Sequence, residues 1–277
     1  MINKDEIFAR LHQLPAMPTV VQEVMDSFKN ANLDSATLAH MIAQDQGLSA
    51  KMLRVANSPF YGLPRKIGSV QDAIAVMGFN SVRSLVLSVG FMRAFPPVPP
   101  VPQSLFDRHA YWKRSFRVGG YAQVLAQCLR RDRQMVFTAG IFHDIGQLVL
   151  DICIPQQFAN MLQRQKTSGL SLIEIEQSEL GFDHALIGAE MARRWNFPPE
   201  IEAATRYWRT PEHEPFEPAA AMVHIAVLLE RGLSGEELMA HLPETLRDRL
   251  GISWERIEAF LPESDQLDAE ADLMLAA

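Results

Sequence analysis

Basic residues are the minority charge in this 277-residue chain. Lys and Arg number 26 against 33 Asp and Glu, a formal charge of −7. Non-specific nucleic-acid binding works by neutralising phosphates, so this balance argues against a DNA partner and leaves room only for a small local anion site. Cysteine is nearly absent. Cys128 and Cys153 lack CxxC spacing, which offers neither a disulfide framework nor a thiolate zinc site and fits a reducing cytoplasm. The apolar run Ser84–Met92 is closed by Arg83 and Arg93 and is too short to span a bilayer. The first six residues, MINKDE, carry charges where a signal peptide needs an apolar stretch. There is no GxSxG elbow, GxxxxGK[ST] loop, GxGxxG after a strand, or HExxH. The expectation is a soluble cytoplasmic protein with no membrane partner.

Hydrophobic residues make up 48% and charged residues 21%, the balance of a folded chain rather than a disordered one. Their periodicity is helical. Val20, Val21, Val24, Met25 and Phe28 share one face, as do Leu38, Met41 and Ile42, and then Leu48, Met52, Leu53 and Val55. Ser69, Ser171 and Ser234 each open a capping-box pattern, and Pro198-Pro199-Glu200 suits a first helical turn. Val82–Phe91 is the best strand candidate, but it continues a helical pattern that begins at Ser69. The fold class expected is all-α.

Phe95–Gln103 reads FPPVPPVPQ and cannot be helix. It could serve as a ligand for an SH3-like or WW-like partner. Flanked by helices, it reads more simply as a stiff connector. The organisation expected is an N-terminal bundle over 1–94, a connector over 95–103, a second bundle over 104–262, and an acidic tail over 263–277 that frays. The string from Asn57 to Gly62 ends a helix and opens a turn, which explains it without a partner.

Of eight histidines only His143 is followed by Asp. Neighbours on a helix lie about 100° apart, so His143 and Asp144 can lean toward one cation. A metal that activates water needs three or more protein ligands. The bland reading is that Asp144 caps or pairs locally and that His143 donates a hydrogen bond. His184 follows Asp183 at a helix start and reads as a hydrogen-bonded structural histidine.

The stretch around His143-Asp144-Ile145-Gly146 resembles the central motif of the HD superfamily of metal-dependent phosphohydrolases. Other strings follow in order: Leu14 to Pro18, Asp45 to Ser58, Ile67 to Val70, Asp72 to Gly78, Gly181 to Ala189, and Trp195 to Pro198. Together they resemble the HDOD domain, the HD-related output domain of bacterial signalling proteins, over roughly residues 10–230. The resemblance implies a multi-helix HD-like bundle with an additional N-terminal helical bundle.

Position by position, the metal set that the superfamily implies is incomplete. Arg114 stands where an upstream His is expected, Tyr207-Trp208 where a His-His pair can follow, and Val227 where a later Asp is expected. Gln147 replaces a common Lys. An arginine brings a cation that cannot deprotonate, so it opposes metal and favours a salt bridge with Asp144. The resemblance therefore implies a non-catalytic signal-transduction output or scaffold domain, with a residual pocket of Arg114, His143, Asp144, Tyr207 and Trp208. No cofactor and no metal are expected. The partner would be a signalling protein or a small anionic ligand such as a nucleotide. The alternative is a phosphohydrolase of nucleotides or cyclic dinucleotides. It would hold a divalent metal on His143 and Asp144, with His109, His184 or His224 as replacement ligands.

Overall fold

The computed structural model describes residues 4–11, 14, 16–27, 33–58, 63, 65–95 and 105–275. The proline-rich run after Phe95 and the turn expected after Asn57 (59–62) lie outside them. Every regular element among the described residues is a helix. The N-terminal half carries α1 (Lys4–Arg10), α2 (Thr19–Asp26), α3 (Ser35–Gln44), α4 (Gln46–Ala56), α5 (Val70–Met77) and α6 (Phe79–Ala94). Then come α7 (Arg108–Cys128), α8 (Arg133–Phe142), α9 (Ile145–Cys153), α10 (Pro155–Ser168) and α11 (Leu172–Leu180). After them follow α12 (His184–Arg194), α13 (Pro199–Tyr207) and α14 (Pro218–Glu230). The chain closes with α15 (Gly235–His241), α16 (Glu244–Leu250), α17 (Trp254–Glu258) and α18 (Ser264–Leu275). Val82–Phe91 is thus inside a helix, buried almost throughout, which is why its pattern looked strand-like.

Most starts obey local chemistry. The side chains of Asp34, Asp45, Ser69, Asp107, Asp132 and Asp183 each accept a backbone N–H of the helix that follows. Ser171 and Glu174 close a reciprocal capping box. Ser234 does not cap α15, contrary to its pattern. Gly235 takes φ 57°, which takes the first turn off the geometry that a capping box needs. Asn57 clasps Ile67 from both sides. Its amide donates to the Ile67 carbonyl at 2.9 Å and accepts the Ile67 N–H at 2.8 Å. That clasp gives Asn57 a structural task.

Helix α7 is central and packs along α8, α14 and α18, while α12 packs against α9 and α13. The hydrophobic core is continuous from Ile7 to Met274. Phe91 of α6 joins the two halves. Its ring lies 4.5 Å from Phe142, 5.0 Å from Trp195 and 5.4 Å from Phe197, centroid to centroid.

The acidic end does not fray. Residues 264–275 form α18, whose Leu267, Ala271 and Met274 are buried. Their spacing of four and three puts them on one face. The acidic residues between them find cations on α7: Asp272 pairs with Lys113 at 2.7 Å and Asp268 with Arg117 at 3.4 Å.

One stretch, Arg133–Cys153, is long and apolar enough to cross a membrane by length and composition. In the fold it is two helices, α8 and α9, broken at His143-Asp144, with 89% of its most apolar window buried inside the protein. The polar pair therefore sits at a helix break in the middle of the core.

Candidate functional site

Asp144 stands at the N-terminal edge of α9, yet its carboxylate does not cap that helix. It faces inward, 1% exposed, and gathers partners from three helices. Arg114 of α7 donates from Nη1 to Oδ2 at 2.9 Å. Gln147, one turn on, donates to the same oxygen at 3.0 Å. His184 at the start of α12 places Nε2 3.3 Å from Oδ1, and His143 places its own Nε2 3.4 Å from Oδ2. These last two are ion-pair distances without hydrogen-bond alignment, so both Nε2 atoms and Oδ1 lack a well-formed hydrogen bond. His143 donates from Nδ1 to the Gly140 carbonyl at 2.7 Å, the local bond that the sequence suggested.

His184 is held from its other side by Glu176 of α11. The carboxylate lies 2.7 Å and 2.9 Å from Nδ1 and also accepts the His184 backbone N–H at 2.9 Å. Both side chains are fully buried. Burial alone would push the His184 pKa down. The Glu176 charge, followed by the close approach of Asp144, outweighs it and carries the imidazole up to about 9. Burial likewise works to raise the Asp144 pKa, but His143 and His184 beside it hold it well below the usual carboxylate range.

The chain Glu176–His184–Asp144–Arg114 thus alternates in charge. It ends at Glu230 of α14, whose Oε2 lies 3.3 Å from Arg114 Nε. Burial opposes the Arg114 charge, and Asp144 and Glu230 together more than restore it.

The backbone makes this convergence possible. A Cβ on Gly146 would lie 1.9 Å from the His184 carbonyl oxygen and 2.9 Å from the Gly188 nitrogen. Helices α9 and α12 therefore meet backbone to backbone, and only glycine permits it.

Of the five pocket residues read from the sequence, Arg114, His143, Asp144 and Trp208 come together. The Trp208 ring packs edge-to-face on His143 with centroids 5.1 Å apart. Tyr207 takes another partner: its ring stacks on His213 at 3.7 Å. Val227 is buried on α14, and Glu230 reaches the site from one turn further along.

The HDOD domain family profile matches residues 14–211, well over half of the chain. The chain belongs to the HDOD domain family. Among solved structures, this HDOD protein is 25% identical to a Shewanella amazonensis SB2B protein provisionally assigned as a phosphohydrolase. That match covers 97% of this chain and 98% of that one at a TM-score of 0.79. A provisionally assigned signal transduction protein from Marinobacter aquaeolei VT8 is also 25% identical, with 95% and 60% covered and a TM-score of 0.74. A Geobacter sulfurreducens HDOD domain protein of unknown function shares the fold at 24% identity, with 98% and 93% covered and a TM-score of 0.71. A curated relative, an uncharacterised Treponema pallidum (strain Nichols) protein, is 25% identical over 245 residues. The chain spans 46% of that relative's length.

The HD superfamily implies a divalent metal, and this HDOD site does not fit one. Two imidazole nitrogens do lie against the Asp144 carboxylate, His184 Nε2 beside Oδ1 and His143 Nε2 beside Oδ2. But Arg114 already occupies Oδ2 with a permanent cation. Among the described residues no group of three His, Cys, Asp or Glu has metal-binding geometry. His224, a candidate replacement ligand, donates from Nδ1 to the Trp208 carbonyl at 3.0 Å instead. No hydrolytic step through a metal is assigned.

The charged chain makes stability pH-dependent. The pKa of His184 is raised on folding from about 6.5 to about 9. Its contribution is fully present below pH ~6.5 and is lost as pH rises through about 9. Full titration corresponds to a loss on the order of 3 kcal/mol. Urea unfolding midpoints should accordingly fall between pH 6.5 and 9.5, and a flat profile would rule out a charged His184.

Proposed function

We propose that this HDOD protein is a non-catalytic output module of a signalling system, engaging a signalling protein or a small anionic ligand. The observation behind this reading is the Arg114 guanidinium seated 2.9 Å from Asp144, where the superfamily's chemistry needs a metal. A fixed cation there neutralises the carboxylate and leaves no incentive for a dication. The likeness to the Marinobacter aquaeolei protein supports a place in signal transduction. Since the chain spans about half of its curated relative, a sensor or effector region elsewhere is part of the same proposal.

The test is direct. The purified protein is assayed for bound transition metal and, with added manganese, for turnover of cyclic dinucleotides and a simple phosphodiester. Substoichiometric metal and no turnover are expected. Stoichiometric metal with turnover abolished by His143→Ala would establish the phosphohydrolase reading in its place.

A further inference from the structure

Beside Trp208 lies an open cleft of about 500 Å³ lined by Arg209, Thr210, Glu212, His213, His224 and His241. That volume suits a ligand of nucleotide size. The Arg209 guanidinium lies over the Trp208 ring, 4.3 Å from its centroid, which fixes its plane. Its Nε is buried and has no hydrogen-bond partner. No carboxylate of a described residue pairs with it within 4.0 Å. Asp144 and Glu176 attract it from further away, but Arg114 and His184 already match them, and burial and Arg231 oppose its charge. Arg209 is thus an oriented cation without a counter-charge in contact.

The histidines supply the opposite chemistry. His224 Nδ1 lies 3.0 Å from the Trp208 carbonyl, and His241 Nδ1 lies 2.8 Å from the Glu237 carbonyl. A carbonyl only accepts, so each Nδ1 carries the proton and a neutral ring offers its Nε2 lone pair. Burial, with Arg231 and Arg209 nearby, depresses the His224 pKa and keeps that ring neutral near pH 7. His213 lies flat on Tyr207 and adds an aromatic face. Glu212 is engaged by the Thr245 hydroxyl.

We propose that this cleft binds a nucleoside phosphate, with the phosphate on Arg209 and hydroxyl or amino donors of the nucleoside on Nε2 of His224 and His241. This deepens the ligand-binding half of the reading above by naming a ligand class and a place for it outside the Asp144 pocket. A guanidinium fork matches phosphate oxygens, and acceptor nitrogens select for groups that carry hydrogens.

Isothermal titration of the full chain with AMP, GMP and adenosine tests it. Saturable binding of at least one nucleotide with a dissociation constant below about 1 mM is expected. Adenosine should bind at least about tenfold more weakly than AMP. Arg209→Gln should weaken the nucleotide by about tenfold or more and abolish the preference for AMP over adenosine. His241→Ala, at an exposed position, should weaken both without altering thermal stability. No saturable binding of either nucleotide overturns the proposal, and so does equal binding of AMP and adenosine by the unaltered chain. The comparison on the unaltered chain and His241→Ala keep the test decisive even if Arg209→Gln fails to fold. Metal content and turnover are read separately, so failure here leaves the non-catalytic reading to stand or fall by itself.

Discussion

Gly146→Ala is expected to cost at least about 3 kcal/mol, the upper end of an ordinary overpacking penalty, and to lower the melting temperature by roughly 6–12 °C. The added methyl would fall 1.9 Å from the His184 carbonyl oxygen and 2.7 Å from its carbon. These are backbone atoms at the first residue of α12, so no side-chain rotation relieves the clash. Helix α12 must retreat from α9. The retreat draws His184 away from Asp144 and separates the groups that hold its proton. A stable, soluble Gly146→Ala variant with an unshifted His184 NMR signal would contradict the backbone-to-backbone crossing. Differential scanning calorimetry together with that spectrum decides it.

Glu176→Ala is the second large effect. It removes the carboxylate that accepts both the His184 ring and the His184 backbone N–H. A buried cation and a buried amide lose their partner together. Breaking a buried ion pair from one side costs about 3–5 kcal/mol, and the orphaned N–H adds about 1–3 kcal/mol before relaxation. Part of this is recovered when the imidazole gives up its proton. The His184 pKa should therefore fall steeply from about 9 in this variant. Chemical denaturation reads the first effect and an NMR pH titration of the imidazole reads the second. Glu176→Gln keeps one oxygen acceptor and should lie between the two. A Glu176→Ala protein as stable as the parent would mean that His184 is neutral in the fold.

The helical class was legible because it is written locally, in apolar periodicity and in caps such as Ser69, Ser171 and Asp183. Two local readings failed for identifiable reasons. The Ser234 box gave way to the positive φ of Gly235. The α18 tail looked too acidic to stay packed, but Asp268 and Asp272 meet Arg117 and Lys113, and Leu267, Ala271 and Met274 were spaced for burial all along. At the site, the Arg114–Asp144 pair was readable from charge logic. Glu176 and Glu230 were not. Each lies more than thirty residues from Asp144, and neither belongs to a motif. Glu230 could have been found by looking one helical turn past Val227, since i and i+3 share a face. Tyr207 and Trp208 could not both face His143, because adjacent residues near a helix end diverge by about 100°.

The Phe91 cluster ties the N-terminal half to the charged chain through a covalent neighbour. Phe142, on which Phe91 packs, is joined by one peptide bond to His143. Close-packed rings transmit displacement rather than absorb it, because a gap of even half an ångström forfeits contact energy. The packing of α6 is therefore continuous with the backbone at His143 and with the carboxylate beside it. The aromatic knot thus makes the seating of α6 and the alignment of the charged chain parts of one packed unit.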